Sequence, residues 1–121
     1  VAFGGIGNWS EGFGEKFVAL GVNAVIDIHI MRSEDFFAQC ENAYGFVYID
    51  GDHSYEGCRF DLEQSINHST PDAMIALHDV LVNEPPYGVG KVFSELDRER
   101  YDTLIVPIWP GIGIIRRKAP S

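Results

Sequence analysis

An α/β fold with an open, mostly parallel sheet is the fold class that this 121-residue sequence predicts. Two unbroken apolar runs, Phe46-Val47-Tyr48-Ile49 and Ala73-Met74-Ile75-Ala76-Leu77, carry the first argument. A strand that is apolar on both faces belongs in the interior of a parallel sheet covered by helices. Segments with helical spacing alternate with these runs, the pattern of strand–helix–strand units with helices on both faces of the sheet. Both runs also stop at acidic residues, Asp50-Gly51-Asp52 and His78-Asp79. In open α/β sheets that carboxyl edge is where ligands bind.

In chain order, Gly4-Gly5-Ile6-Gly7-Asn8 is a flexible opening, and Ser10 and Glu11 mark a helix start. Phe13, Phe17 and Leu20 recur at helical spacing, and Gly21 suits the position just past the helix end. Val25 to Ile30 alternates apolar and polar residues, which predicts a half-covered strand near a sheet edge. Ser33 offers a capping oxygen, and Glu34 and Asp35 supply early negative charge, for a short helix through Phe36, Phe37 and Cys40. After the first apolar run, Tyr55, Cys58, Leu62 and Ile66 form one apolar helical stripe. Thr70-Pro71-Asp72 breaks the chain before the second run, and Val89, Val92, Phe93 and Leu96 make another stripe. Thr103 to Trp109 and Gly111 to Arg117 read as an antiparallel pair joined at Pro110-Gly111. Without repeats or linkers, residues 1–121 are expected to form a single domain.

Composition excludes several function classes. Hydrophobic residues at 45% and charged residues at 22% are ordinary for a globular chain. Eighteen acidic against nine basic residues give a net charge of −9, a field that repels phosphate, so neither nucleic acid nor an anionic membrane surface is an expected partner. No apolar run approaches the roughly 18 residues of a membrane span. Cys40 and Cys58 stand alone and form neither a disulfide framework nor a zinc signature, so a reducing cytoplasm is the expected location. The chain opens at Val1 with no basic, apolar leader, so a signal peptide is not expected and a trimmed or partial chain is.

The candidate residues for chemistry are Asp50, Asp52, His53, His78 and Asp79. Adjacent strands lie about 4.8 Å apart, so neighbouring strand ends would bring Asp50 and Asp79 into one small volume. Two carboxylates that close repel unless a cation or a shared proton lies between them. Mg²⁺ suits that pair because it takes oxygen ligands and keeps waters that a substrate oxygen can displace. His53 and His78 are candidate proton acceptors near neutral pH. The competing reading is structural: an aspartate after a strand also caps helices, and Asp-Gly is common turn chemistry. His29 reads as the polar face of its strand, His68 as a solvated loop residue, and Arg116-Arg117-Lys118 as a solvated chain end.

The segment Phe46-Val47-Tyr48-Ile49-Asp50-Gly51-Asp52-His53-Ser54-Tyr55-Glu56, followed by Asp61-Leu62, resembles the class I S-adenosylmethionine-dependent methyltransferases, in particular their small-molecule and sugar O-methyltransferase branch. Ala76-Leu77-His78-Asp79-Val80 resembles the ending of that branch's fifth strand, Gly88 to Phe93 its next helix, and Thr103 to Arg117 its closing hairpin. The resemblance implies a Rossmann-like sheet and methyl transfer from S-adenosylmethionine to a hydroxyl of a small-molecule acceptor. It places Asp50, His53 and His78 in catalysis, Asp52 and Tyr55 at the cofactor, and Asp50 and Asp79 at an optional Mg²⁺, with His78 or Val80 where the family has a further ligand. Gly4-Gly5-Ile6-Gly7 has no apolar strand before it and is not taken as the family's glycine-rich cofactor turn. The chain thus resembles the later portion of the family fold, without its first two strands. Their loss would expose strand edges, which makes a homodimer an expectation. Two other readings are a non-catalytic remnant serving as a binding module and, less favoured, a Mg²⁺-dependent phosphatase of the haloacid-dehalogenase type, suggested by Ile49-Asp50-Gly51-Asp52.

Overall fold

The computed structural model describes residues 2–4 and 12–120. They fall into two compact units, Val1–Cys40 and Glu41–Ser121.

In the first unit, strand β1 (Ala2–Gly4) pairs in parallel with β2 (Asp27–His29), Phe3 lying opposite Ile28. β1 corrects the expectation that no strand precedes the glycine segment: three residues without a long apolar run are enough to pair. Residues 5–8 of that segment, with Ser10 and Glu11 of the expected helix start, lie outside the described residues. Helix α1 (Phe13–Ala19) ends as its sequence requires. Gly21 takes φ 70° and donates to the Val18 carbonyl at 3.0 Å, while Val22 donates to Phe17 at 3.0 Å. This paired closure needs a residue that tolerates the left-handed region, hence glycine. β2 is shorter than Val25 to Ile30 because the Val25 N–H is used in a turn, donating to the Val22 carbonyl. Helix α2 (Ser33–Gln39) starts at its expected cap residue, one position earlier than a Ser33 cap would give. Arg32 holds the cap position, Ser33 is already helical, and no side chain caps the helix, although Glu34 and Asp35 do fall in its first turn.

The second unit holds a four-stranded sheet of β3 (Tyr44–Ile49), β4 (Ser69–His78), β5 (Tyr101–Val106) and β6 (Ile112–Arg117) in the order β3-β4-β6-β5. β3 and β4 are parallel, Ile49 facing Leu77; β6 runs antiparallel to both β4 and β5. β4 begins earlier than expected and contains Thr70-Pro71-Asp72, but the ladder slips there: Tyr44 pairs with Ser69 and Phe46 already with Met74. The irregularity accommodates Pro71, which has no N–H to give a ladder. Arg117 braces the same region, its guanidinium donating to the carbonyls of Ile66, Ser69 and Thr70.

Helices α3 (Tyr55–Asn67) and α4 (Val89–Ser94) close the core. The Ser54 hydroxyl accepts the Gly57 N–H at 3.1 Å, an N-cap that starts α3 directly after the Asp50–His53 loop. Cys58 and Leu62 on α3 and Val89, Val92 and Phe93 on α4 pack with Ile49, Ile75, Leu77 and Ile115 of the sheet. A Cβ at Gly113 would stand 2.5 Å from the Phe93 ring, so α4 lies directly on β6. Within this sheet β3 is an edge strand rather than the interior strand its apolar run predicts. Val47 and Ile49 turn to the core, whereas Phe46 and Tyr48 are 59% and 48% exposed.

Candidate active site

The parallel pairing of β3 with β4 sets the site. Ile49 opposite Leu77 puts the ends of both strands at one edge, with Asp50 leaving β3 beside His78 and Asp79 one residue further on. His53 arrives from the loop that links β3 to α3. Its Nε2 is 2.7 Å from Oδ2 of Asp79 and 3.4 Å from Oδ1 of Asp50. Nδ1 of His78 is 3.1 Å from the same Asp79 oxygen and 3.3 Å from the same Asp50 oxygen. Four side chains proposed from sequence therefore meet in one volume, with two histidines between two carboxylates.

Asp79 is the most constrained member. It is buried at 8% exposure and takes φ 68°, a backbone region that aspartate enters more readily than most residues but at a cost. Its N–H donates to the Gly111 carbonyl and its carbonyl accepts from Val82, both near 3 Å, so a tight turn aims the carboxylate at His53. Gly111 has φ 86° and meets the Leu81 side chain, which holds the β5–β6 connection against this turn. Val80 points the other way into the core at 6% exposure, away from the position of an alternative ligand.

Two tyrosines flank the histidines. The Tyr87 ring lies 4.9 Å from that of His53, and the Tyr48 ring 6.1 Å from that of His78. Burial, then the Asp50 and Asp79 charges, push the Tyr48 phenol above its ordinary value. The Gly88 N–H donates to the His53 carbonyl at 2.7 Å and ties the Tyr87 loop to the His53 loop. Sequence reasoning passed over Tyr87, which sits in a Pro-rich loop with no periodicity to mark it.

Asp52 and Tyr55 do not join the histidine cluster through the contacts seen. Asp52 Oδ1 accepts the Ser54 N–H at 2.9 Å, shaping the loop. The Tyr55 hydroxyl donates to Glu95, the residue that caps the end of α4, and Lys91 lies 4.6 Å from the centre of its ring.

One atom each from Asp50, His53 and Asp79 lies within 4.8 Å of the others, a donor set that can hold a divalent ion. The set fits because two carboxylates supply the hard oxygens and an imidazole the third position.

A family model described as a methyltransferase domain matches residues 5–80, running through both units and both aspartate-bearing strand ends. The chain belongs to the methyltransferase-domain family. In structure this methyltransferase domain is similar to the O-methyltransferase TomG from Streptomyces achromogenes, solved with SAM, at TM-score 0.74 and 14% identity over 98% of this chain and 61% of that one. The O-methyltransferase from Bacillus cereus, in complex with SAH, aligns at TM-score 0.80 and 14% identity over 98% and 62%. The SAH-bound Podospora anserina methyltransferase PaMTH1 aligns at TM-score 0.71 and 14% identity over 98% and 60%. The methyltransferase domain thus spans about three fifths of each of these chains. In sequence it is 28% identical over 75 residues to Uncharacterized protein y4gI of Sinorhizobium fredii (strain NBRC 101917 / NGR234), covering 62% of this chain and 8% of that protein. Among the described residues no helix is long and apolar enough to cross a membrane.

Proposed function

We propose that the chain transfers a methyl group from S-adenosylmethionine to a hydroxyl of a small-molecule acceptor. The carrying observation is the convergence of Asp50, His53, His78 and Asp79 at the carboxyl edge of β3 and β4, with His53 Nε2 2.7 Å from Asp79. Membership of the methyltransferase-domain family supports the reaction class, and the SAM and SAH in the similar structures support the donor. In this reading His53 or His78 takes the acceptor's hydroxyl proton while the oxygen attacks the methyl carbon. The new bond is C–O, the broken one C–S, and S-adenosylhomocysteine leaves with the sulfur's electron pair. Asp79 holds the His53 ring in place, and orientation of the reactants supplies much of the acceleration of such an in-line displacement. Asp50 and Asp79 would hold Mg²⁺, which would supply charge to steady the acceptor oxygen when bound, leaving the histidines to the proton. Asp52 and Tyr55 are the proposed cofactor-side contacts, supported by their place in the loop and first helical turn directly after Asp50.

Calorimetric titration with S-adenosylmethionine, followed by transfer assays with the labelled methyl donor and a panel of hydroxylated acceptors, tests the proposal. Saturable binding and transfer that Asp50→Asn abolishes are expected. Absence of binding, or full turnover in Asp50→Asn, would overturn it.

A further inference from the structure

We infer that Asp61, which the reaction above does not use, is a positioning residue that fixes the loop carrying Asp50 and His53. Its effect on chemistry rests on the proposed methyl transfer; its effect on the loop does not.

Asp61, half-buried, lies on α3 between the buried Cys58 and Leu62 and one turn before the buried Ser65. An acid at that spacing on an otherwise core-facing stripe is the sequence signal that marks it. Oδ1 is closed off from solvent. Oδ2 reaches back to the loop, 3.3 Å from the point where a Cβ on Gly51 would stand. A carboxylate offers only acceptors, and burying one is costly unless N–H groups meet it. Asp61 is an engaged residue, as is Asp52. The backbone beside Oδ2 is that of Gly51, which joins Asp50 to Asp52.

The rest of the loop is already clamped. Asp52 accepts the Ser54 N–H and its carboxyl group packs on Gly57, where a Cβ would fall 2.3 Å from it. The His53 carbonyl accepts the Gly88 N–H. Asp61 supplies the remaining support, beneath Gly51, at the point where the chain leaves β3 and Asp50 turns toward His78. Its small neighbour is part of the device: any side chain at position 51 would press on the carboxylate. Groups that orient metal or catalytic side chains in this indirect way cost about 10–100-fold in affinity or activity when removed.

The test compares Asp61→Ala, Asp61→Asn and the neighbouring core change Leu62→Ala. Amide hydrogen exchange is the first readout, and Mg²⁺ affinity by calorimetry the second. Asp61→Ala is expected to speed exchange at Gly51, Asp52 and His53 selectively and to weaken Mg²⁺ binding about tenfold or more. Asp61→Asn, which keeps one acceptor oxygen, restores part of both, and Leu62→Ala lowers stability with the loop amides and Mg²⁺ affinity of the folded protein unchanged. Wild-type exchange at the loop in Asp61→Ala, or an equal loosening in Leu62→Ala, would overturn the assignment. Selective loosening in a protein whose wild type takes up neither Mg²⁺ nor S-adenosylmethionine would uphold the loop role and remove the functional reading instead.

Discussion

Nε2 of His53 lies 2.7 Å from Oδ2 of Asp79, joining the loop after β3 to the turn after β4. The pair unites a group able to take a proton with a buried carboxylate that limits how its ring can rotate. His78 approaches the same oxygen at 3.1 Å, so in the proposed reaction the two histidines are alternative bases, of which His53 is the closer to Asp79.

Replacing His53 by Ala is therefore expected to lower the rate of methyl transfer by about 10²–10⁴-fold, the range of general-base contributions. His78→Ala should cost less. Calorimetric affinity for S-adenosylmethionine should stay at the wild-type value in both variants, because the base acts on the acceptor. Equal losses in both, with cofactor affinity falling in parallel, would show that the histidines shape the pocket rather than take the proton.

Asp79 combines function with backbone cost. At φ 68° an alanine suffers the left-handed penalty without aspartate's compensating polar contacts, while glycine does not. Asp79→Gly is expected to be more stable than Asp79→Ala by about 1 kcal/mol in urea denaturation. Both should lose the His53 contact and with it turnover. Equal stabilities would mean that the turn relaxes when the carboxylate is removed.

The strand ends were legible because each apolar run stops abruptly at an acid, and the α3 and α4 stripes because their spacing is helical. What joins them was not. The His53–Asp79 contact depends on the parallel register of Ile49 with Leu77 and on a positive φ at residue 79, neither of which is written in local composition. Thr70-Pro71-Asp72 was expected to end a segment, yet the β3–β4 ladder slips past it and β4 continues. Phe46 and Tyr48 suggested an interior strand, but hydrophobicity alone does not say whether a neighbour covers it. Tyr55 shows the same limit: its helix position was clear, its partner Glu95, forty residues on, was not.

The fit of α4 on the sheet gives a third prediction. With the Phe93 ring 2.5 Å from a Cβ placed at Gly113, and Val80 Cγ1 at 2.9 Å, alanine there must displace a packed helix. Gly113→Ala is expected to cost about 1–3 kcal/mol, the usual range for overpacking. Adding Phe93→Leu should recover part of the loss, so that the double variant is more stable than the sum of the single changes. Strict additivity in urea titrations would show that Phe93 does not carry the clash.

Cys58 supplies a pH-dependent prediction. Burial, then the charges of Asp61 and Asp52, push its thiol from the ordinary 9.0 up to about 12, since a thiolate on α3 would be both desolvated and faced by acids. Native protein at pH 8 should therefore label at the half-buried Cys40 and resist at Cys58, which is 1% exposed, until denaturant opens the core. The stability consequence follows from proton counts. Above pH 9 the unfolded chain releases the Cys58 proton while the folded chain keeps it, so the unfolded state binds fewer protons and stability falls as pH rises toward 12. Below pH 9 both states hold the proton and the group contributes no slope. Tyr48 and Tyr55, both raised above 10.0, add losses of the same sign at higher pH, so the comparison must be with Cys58→Ala rather than with a neutral-pH reference. The urea midpoint of the wild type should drop more steeply than that of Cys58→Ala between pH 9 and 11. Parallel slopes would mean that the thiol ionises as easily in the folded chain as in the unfolded one.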